Sequence, residues 1–341
     1  MKTQQGEYSE SAVSLDEWDR SILYFLDRKG NMTLVDLATK LGVSRQLIRN
    51  RIAKMEHSGV IKGYLTIFDS GALGQNWYRA LFRLMNISVG ERSDFIRFLK
   101  ENEYVTWLGE VGGRWDIAVN FVARSPMAFN AIYEEISEKF GSLVRDVQIL
   151  VYVDIHDFSI SYLSNAYVDR KTFFHKMSFL KEVYPDHVDY RLMELISTNA
   201  RMDISTISRQ LNVSRVTVNQ RLRHLQESGV ILGSRVFIDL KKMGVVSNML
   251  LLEMNHMNKE REVELYLYLR LLPQVTYVVK HLERWKIGME IETRSYDEFQ
   301  YILLDIRAKF SDLISDYDTF PILQDHVINY FPKGAFIESE S

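Results

Sequence analysis

The sequence predicts an α+β chain in which one two-domain unit is written twice, and three observations predict it. The stretch SRQLIRNRIAKMEHSGVI at residues 44–61 returns as SRVTVNQRLRHLQESGVI at residues 214–231. The same offset then relates Asp19 to Asp189, Gly63 to Gly233, Gly74 to Gly244, Trp115 to Trp285, Phe129 to Phe299 and Phe140 to Phe310 without a gap. Self-similarity at one fixed spacing over roughly 130 residues is duplication of a complete unit. Within the first unit, apolar residues follow a helical period at first and a strand period from Ala80 onward.

Taking the elements in order, residues 15–27 place Leu15, Trp18, Ile22, Leu23, Phe25 and Leu26 at helical spacing, with Asp16 and Glu17 in the first turn, where the helix dipole favours acids. Thr33 caps a short helix that runs to Leu41. Ser44 caps a third, with Ile48, Ile52 and Met55 on one face and Arg45, Gln46, Arg49, Asn50 and Lys54 on the other. Its repeat after Ser214 has Val218, Leu222 and Leu225 on one face and Arg215, Thr217, Asn219, Gln220, Arg223 and His224 on the other. Three short helices with a tight turn before a polar-faced third form the helix-turn-helix pattern, whose last helix enters the DNA major groove. Gly59 ends that helix, and residues 60–68 alternate like a strand or small wing.

Residues 80–87 then read as a strand, 93–102 as a helix, and 105–111 and 114–123 as strands joined at Gly112-Gly113. A helix starting at Pro126 and a strand over 144–153 follow. The order βαββαβ is the ferredoxin-like plan, an antiparallel sheet with both helices on one face. Its free face needs cover, and a second such sheet, from the same chain or another, is the expected solution. Residues 158–186 have no counterpart. Their aromatics and mixed charges, including Asp169, Lys181 and Glu182, suggest a connecting arm with some helix. The expected domains are a flexible tail (1–14), a helix-turn-helix (15–63), a ferredoxin-like domain (64–157), the arm (158–186), a second helix-turn-helix (187–233), a second ferredoxin-like domain (234–332) and a tail (333–341).

Composition bounds the function. Hydrophobic content of 46% and charged content of 26% over 341 residues describe a globular chain of two or more domains. No apolar run is long enough to span a bilayer, and the polar N-terminus lacks a signal-peptide core, so a cytoplasmic protein without a membrane partner is expected. The absence of cysteine excludes disulfides, thiolate zinc sites and cysteine nucleophiles. The net charge of −3 is unevenly spread: residues 14–63 hold nine Lys/Arg against six Asp/Glu, 64–157 nine against thirteen, and 186–233 six against five. Positive charge therefore concentrates near the first recognition helix, and the two copies are expected to bind DNA unequally.

These residues resemble the leucine-responsive regulatory protein (Lrp/AsnC, or feast/famine) family. The resemblance is carried by LDEWDRSILYFL at residues 15–26, LATKLGVS at 37–44, Arg51-Ile52, Met55-Glu56, Gly59-Val60-Ile61 and the hairpin Gly113-Arg114-Trp115-Asp116-Ile117. It covers residues 15–157 and, more faintly, 187–332. It implies DNA-binding transcription regulators whose ferredoxin-like domain dimerises and often binds an amino acid at subunit contacts around that hairpin. Such an effector would involve Gly112, Gly113 and Asp116. The tandem arrangement departs from the usual single copy per chain.

The duplication supplies its own comparison. Trp115 and Ile117 persist as Trp285 and Ile287, whereas Gly112, Gly113 and Asp116 become Leu282, Glu283 and Lys286. Any effector site is thus expected in the first copy. On the residues alone the glycines at 109, 112 and 113 suit a hairpin turn better than a ligand contact, and no Gly-Lys-Ser/Thr follows to make a phosphate loop. Arg51 and Arg221 could contact DNA or brace the fold. Asp154, His156 and Asp157 lack a second ligand cluster, so no metal is expected, and no catalytic residues or cofactor are expected either. Met243, Met249, Met254 and Met257 read as core and interface filling. The expected DNA contacts are Ser44, Arg45, Gln46, Arg49, Asn50 and Lys54, with Ser214, Arg215, Thr217, Asn219, Gln220 and Arg223. The partners are double-stranded DNA, an amino-acid effector, and a second copy in a homodimer or larger homo-oligomer built through the ferredoxin-like domains. The alternatives are an enzyme like the siroheme decarboxylases of the same superfamily, which use two such units together, and an architectural DNA-binding protein without effector.

Overall fold

The computed structural model describes residues 12–164, 170–176, 183–255 and 258–334. The first unit consists of α1 (Glu17–Arg28), α2 (Leu34–Leu41), α3 (Arg45–His57), β1 (Ile61–Phe68), β2 (Asn76–Leu84), α4 (Val89–Glu101), β3 (Val105–Val111), β4 (Ile117–Ala123), α5 (Pro126–Phe140) and β5 (Val144–Phe158). The arm contributes β6 (Thr172–Lys176). The second unit repeats the order as α6 (His187–Ser197), α7 (Ile204–Leu211), α8 (Arg215–Glu227), β7 (Ile231–Ile238), β8 (Val246–Met254), α9 (Lys259–Leu271), β9 (Val275–His281), β10 (Trp285–Thr293), α10 (Tyr296–Lys309) and β11 (Ile314–Ile328).

Boundaries that differ from the sequence reading have local causes. Ser88 accepts from the Glu91 N–H while the Glu91 carboxylate accepts from the Ser88 N–H, and this capping box starts α4 earlier than Ser93. β4 begins only at Ile117, because Asp116 turns its carboxylate to the Leu84 N–H at 2.8 Å. Among the arm's described residues no α-helix forms. They make a 3₁₀ turn at Ser161–Leu163 and then β6, an extra strand on β5. Asp169, Lys181 and Glu182 lie outside the described residues, as does Met257.

The two ferredoxin-like sheets close on each other within the chain. β5-β2-β4-β3 form one half and β11-β8-β10-β9 the other. β3 pairs with β11 and β9 with β5, so the eight strands form a ring. The long strands make this possible: residues 144–151 of β5 pair with β2 and residues 152–157 pair with β9. The helices cover the outside, burying Phe82, Phe95, Phe121 and Ile136 in the first half and Leu250, Leu265, Phe299 and Ile306 in the second. The inside holds Leu81, Leu150, Met249, Leu251 and Phe320 with both hairpin tryptophans. Trp115 donates to Asp318 at 3.3 Å and Trp285 to Gln148 at 3.0 Å, each crossing to the opposite half. The ring interior is also polar. Arg79 donates to Asn120 at 2.7 Å and approaches the Met249 sulfur, while burial and mutual repulsion push the Glu290 and Glu292 carboxyls well above the usual range.

The helix-turn-helix units pair through their wings. β1 and β7 are antiparallel, with Leu65 opposite Arg235 and the pairs on either side related by the repeat. A pseudo-twofold axis therefore passes through Leu65 and Arg235. α1 packs on β7 and α6 on β1, so each core borrows apolar residues from the other copy: Val236, Ile238 and Met243 join the first, Phe68 and Leu73 the second.

One buried ionic cluster joins this pair to the ring. Arg235 donates to Asp27 of α1 and to Asp157 of β5, both at 2.6 Å, and Asp157 also accepts from Tyr330 at 3.2 Å. Burial raises the Asp27 carboxyl although Arg235 opposes the shift. The repeat-equivalent residues of the three charged groups are Leu65, Ser197 and Val327, so the link exists on one side only. Replacing Arg235 by Ala would leave two buried carboxylates without their cation, a change that costs about 3 to 5 kcal/mol. We expect a correspondingly lower urea midpoint for Arg235→Ala, with near-native stability in the triple change of Arg235, Asp27 and Asp157 to Leu, Ser and Val.

Candidate nucleic-acid interface

Each recognition helix is set by the turn before it and the cap at its start. The turn needs a left-handed residue, supplied by Gly42 at φ +67° and by Asn212 at φ +54°. Ser44 then accepts from the Leu47 N–H at 3.2 Å and Ser214 from the Thr217 N–H at 3.0 Å. Ile48, Ile52 and Met55 fix the underside of α3, and Val218 and Leu225 that of α8.

Arg45, Gln46, Arg49, Asn50 and Lys54 all stand exposed on α3. Gln46 donates to the Asn50 side chain at 2.8 Å, presenting two amides as one surface. On α8, Arg215, Asn219, Gln220 and Arg223 are exposed, and the Asn219 amide is drawn back to the Arg215 carbonyl at 3.0 Å. Thr217 is half-buried with its hydroxyl 2.8 Å from that of Ser214, so it belongs to the cap more than to the outer face. The sequence reading passed over Val216, which is 65% exposed where α3 has Gln46. It is apolar and was not sought among polar readers; its repeat position marks it.

Arg51 and Arg221 brace the fold. Arg51 bonds Asp16, the cap residue of α1, at 2.7 Å and the buried Asp19 at 2.9 Å; Arg221 bonds Asp186 and Asp189 at 2.7 and 2.8 Å. The recognition helix is thereby tied to the start of the first helix in both copies. Burial acts against the Asp16 and Asp186 carboxylates, but the Asp19 and Asp189 N–H groups and the two guanidiniums hold both below their usual range.

The hairpin expected to hold an effector lies at the seam of the ring. Gly112 donates to the Pro321 carbonyl at 3.0 Å, Gly113 takes φ +81°, and a Cβ at Gly112 would meet the Pro321 ring at 3.0 Å. Asp116 accepts from Leu84 and lies 3.5 Å from Arg92. The glycines thus serve close approach between the halves. In the second copy the tip docks differently: Leu282 donates to the Val151 carbonyl and Glu283 accepts from the Val151 N–H. A cleft of about 340 Å³ between α5 and β5 is lined in part by Phe82, Tyr133, Ser137 and Asp146. His156 Nε2 lies 3.8 Å from the Asp154 carboxylate, but Asp157 turns away from both. Asp157 serves Arg235, His156 packs on Phe174 and Tyr266, and burial lowers its pKa to about 4. Among the described residues no cluster of three or more metal-ligating side chains forms, and no helix is long and apolar enough to cross a membrane.

This geometry defines a tandem pair of winged helix-turn-helix units on a closed eight-stranded ring. The family model for winged helix-turn-helix DNA-binding domains matches residues 15–62 and 185–231. An uncharacterized HTH-type transcriptional regulator of Pyrococcus furiosus is 28% identical over 144 residues, 41% of this chain and 92% of that protein. The regulator FL11 of Pyrococcus abyssi is also 28% identical, over 42% of this chain and 93% of its own length. The leucine-responsive regulatory protein of Rhizobium meliloti is 40% identical over 62 residues, 18% of this chain and 40% of that protein. The solved siroheme decarboxylase NirDL shares the fold, with a TM-score of 0.62 over 94% of this chain and 97% of its own at 12% identity. The chain is similar to transcription regulators of the Lrp/AsnC type, and the two matches of the winged helix-turn-helix model fit a tandem duplication of a two-domain unit.

Removing one brace leaves a buried carboxylate without its cation. Arg51→Ala is expected to destabilise the first helix-turn-helix by about 2 kcal/mol, and Arg221→Ala the second, both readable by thermal melts. Because Asp16 and Asp186 titrate below their unfolded value near ~3.9, the brace contributes fully above that pH and is lost as pH falls through the folded pKa. The wild-type protein should therefore lose stability on acidification below about pH 4 more steeply than the Arg51→Ala, Arg221→Ala double variant.

Proposed function

We propose that this protein is a sequence-specific, DNA-binding transcriptional regulator in which one chain supplies both members of a recognition-helix pair. The observation that carries this reading is the pairing of β1 with β7, which relates two exposed Arg- and amide-bearing helices by one pseudo-twofold axis. Arg45 and Arg49 suit guanine edges, the Gln46-Asn50 pair suits adenine, and Lys54 suits phosphate. α8 offers Arg215, Gln220 and Arg223 with Val216, whose exposed methyls suit a thymine methyl. The operator then has two unlike half-sites, with centres about 34 Å apart or a multiple of that. Association with DNA makes the cytoplasm its place of action.

An amino-acid effector, if the protein takes one, is assigned to the first copy, where Gly112, Gly113, Asp116 and the neighbouring cleft lie. The protein acts by binding and not as an enzyme. The whole-chain likeness to a siroheme decarboxylase favours one rival, and titration with an iron tetrapyrrole separates the two. Tight stoichiometric binding with a shifted Soret band would support the enzyme.

The direct test is selection of genomic fragments across a salt series with sequencing of the survivors. We expect a steep salt dependence and one enriched asymmetric motif. Arg45→Ala and Arg49→Ala should each weaken specific binding by about 1 to 3 kcal/mol. Lys54→Ala should weaken all sequences alike and reduce the slope of log K against log salt by about 0.9. Salt-sensitive binding with no motif would instead indicate an architectural protein, and no binding at low salt would overturn the reading.

A further inference from the structure

The duplication allows each outer helix to be compared with its own copy. α4 and α9 correspond residue for residue, and both bury their inner face against the sheet, through Phe95 and Leu99 in one and Leu265 and Leu269 in the other. Their outer faces differ. Ser93, Arg97 and Glu101 on α4 become Val263, Leu267 and Leu271 on α9, which are 51%, 57% and 77% exposed. On the neighbouring helix Ala131 and Glu134 likewise become the exposed Tyr301 and Leu304. The fold does not require large apolar side chains on this surface, since the first copy forms the same helices with four polar residues and Ala131 there. Five such side chains on adjoining helices exceed what a monomer ordinarily leaves in water.

We propose that the outer face of α9 is the contact through which two copies of this chain associate. Val263, Leu267 and Leu271 stand at i, i+4 and i+8 and form a single ridge. Two such ridges pack best side by side, each in the groove next to the other, with their helices crossing at about −50° around a twofold axis parallel to the ridges. Leu267 then meets its own equivalent at the centre. Glu264, which also holds Arg261 of its own helix, and Arg270, whose guanidinium reaches the Arg170 carbonyl at 3.5 Å, flank the ridge on opposite sides, three residues before and after Leu267. The axis then brings Glu264 of one copy beside Arg270 of the other, twice. The surface is therefore self-complementary in charge as well as apolar. Asp94 and Lys100 hold the corresponding charges on α4, so what the second copy has gained is the ridge itself. Tyr301 and Leu304 extend the contact toward the size a specific dimer needs, about 800 Å² per partner.

The association is independent of the DNA-binding reading and is measured without DNA. Light scattering on the purified full chain at micromolar concentration should give twice the 40.0 kDa chain mass. Leu267→Glu sets two carboxylates face to face and should give the single-chain mass with an unchanged circular dichroism spectrum, because Leu267 is exposed and not part of the core. Glu264→Arg and Arg270→Glu should each raise the dimer dissociation constant about tenfold, and the two together should restore it, a rescue that a general loss of structure would not produce. Arg97→Ala on the first copy should leave the dimer intact. A single-chain mass for the wild type, or a dimer that withstands Leu267→Glu, would overturn the proposal.

Discussion

A four-stranded antiparallel sheet with both helices on one face leaves a second face bare and two edges unpaired. That constraint governs this molecule. The bare face alone would be met by any apolar cover, but the open edges call for another sheet of matching length and twist. The long final strand of each half meets both demands, because its first part completes its own sheet and its second part opens the next. Ring closure then fixes the relation between the halves, and the wings above them inherit the same pseudo-twofold relation. The orientation of the recognition helices is thus a consequence of how two sheets seal each other.

Closure within one chain has a second effect. When identical subunits close such a ring, every position on the axis is constrained to match its equivalent, and buried charge there meets like charge. A duplicated chain is free of that restriction. Arg79 faces Met249 across the ring, where two arginines would repel. Arg235 stands opposite Leu65 and reaches Asp27 and Asp157, whose equivalents are uncharged. Arg92 pairs with Glu110 in the first half while Glu262 pairs with Lys280 in the second, the same contact with its signs exchanged. These are differences that drift can produce once the two copies are encoded separately, and they make each half the specific partner of the other.

The parts legible in the sequence were those set by local rules. The caps at Thr33, Ser44 and Ser214, the proline start of α5 and the strand at Val105–Val111 follow from residues within a turn or two, and the structure has them as read. The duplication was legible because the spacing is exact. What could not be read was whatever depends on partners distant in sequence. β6 lies in a segment whose own residues suggest no strand, and it exists because the edge of β5 beside it is vacant. The roles of Arg51 and Gly112 were undecided for the same reason. Each contacts a residue elsewhere, Asp16 and Pro321 respectively, which local pattern does not connect to it.

Tandem duplication also changes what a DNA site must look like. A dimer of identical subunits reads a palindrome, since its two helices are the same. Here Gln46, Arg49 and Asn50 correspond to Val216, Asn219 and Gln220, so under the proposed function a single chain would match a directional site. On the proposed reading, a covalent pair holds its second helix at high effective concentration once the first has bound, which would let α8 contribute although its local charge is nearly balanced. Direction along DNA then becomes a property of the complex. Two chains related by a twofold axis would cancel that direction again, placing the stronger helices both outward or both inward on a four-part operator. Whether α3 lies at the centre or the flank of such an operator follows from where the association surface sits, and α9 belongs to the half of the ring farther along the chain from α3. A contact on that half leaves α3 and α8 inequivalent within each chain while the twofold axis makes the two chains equivalent, and the symmetry of the operator reports it.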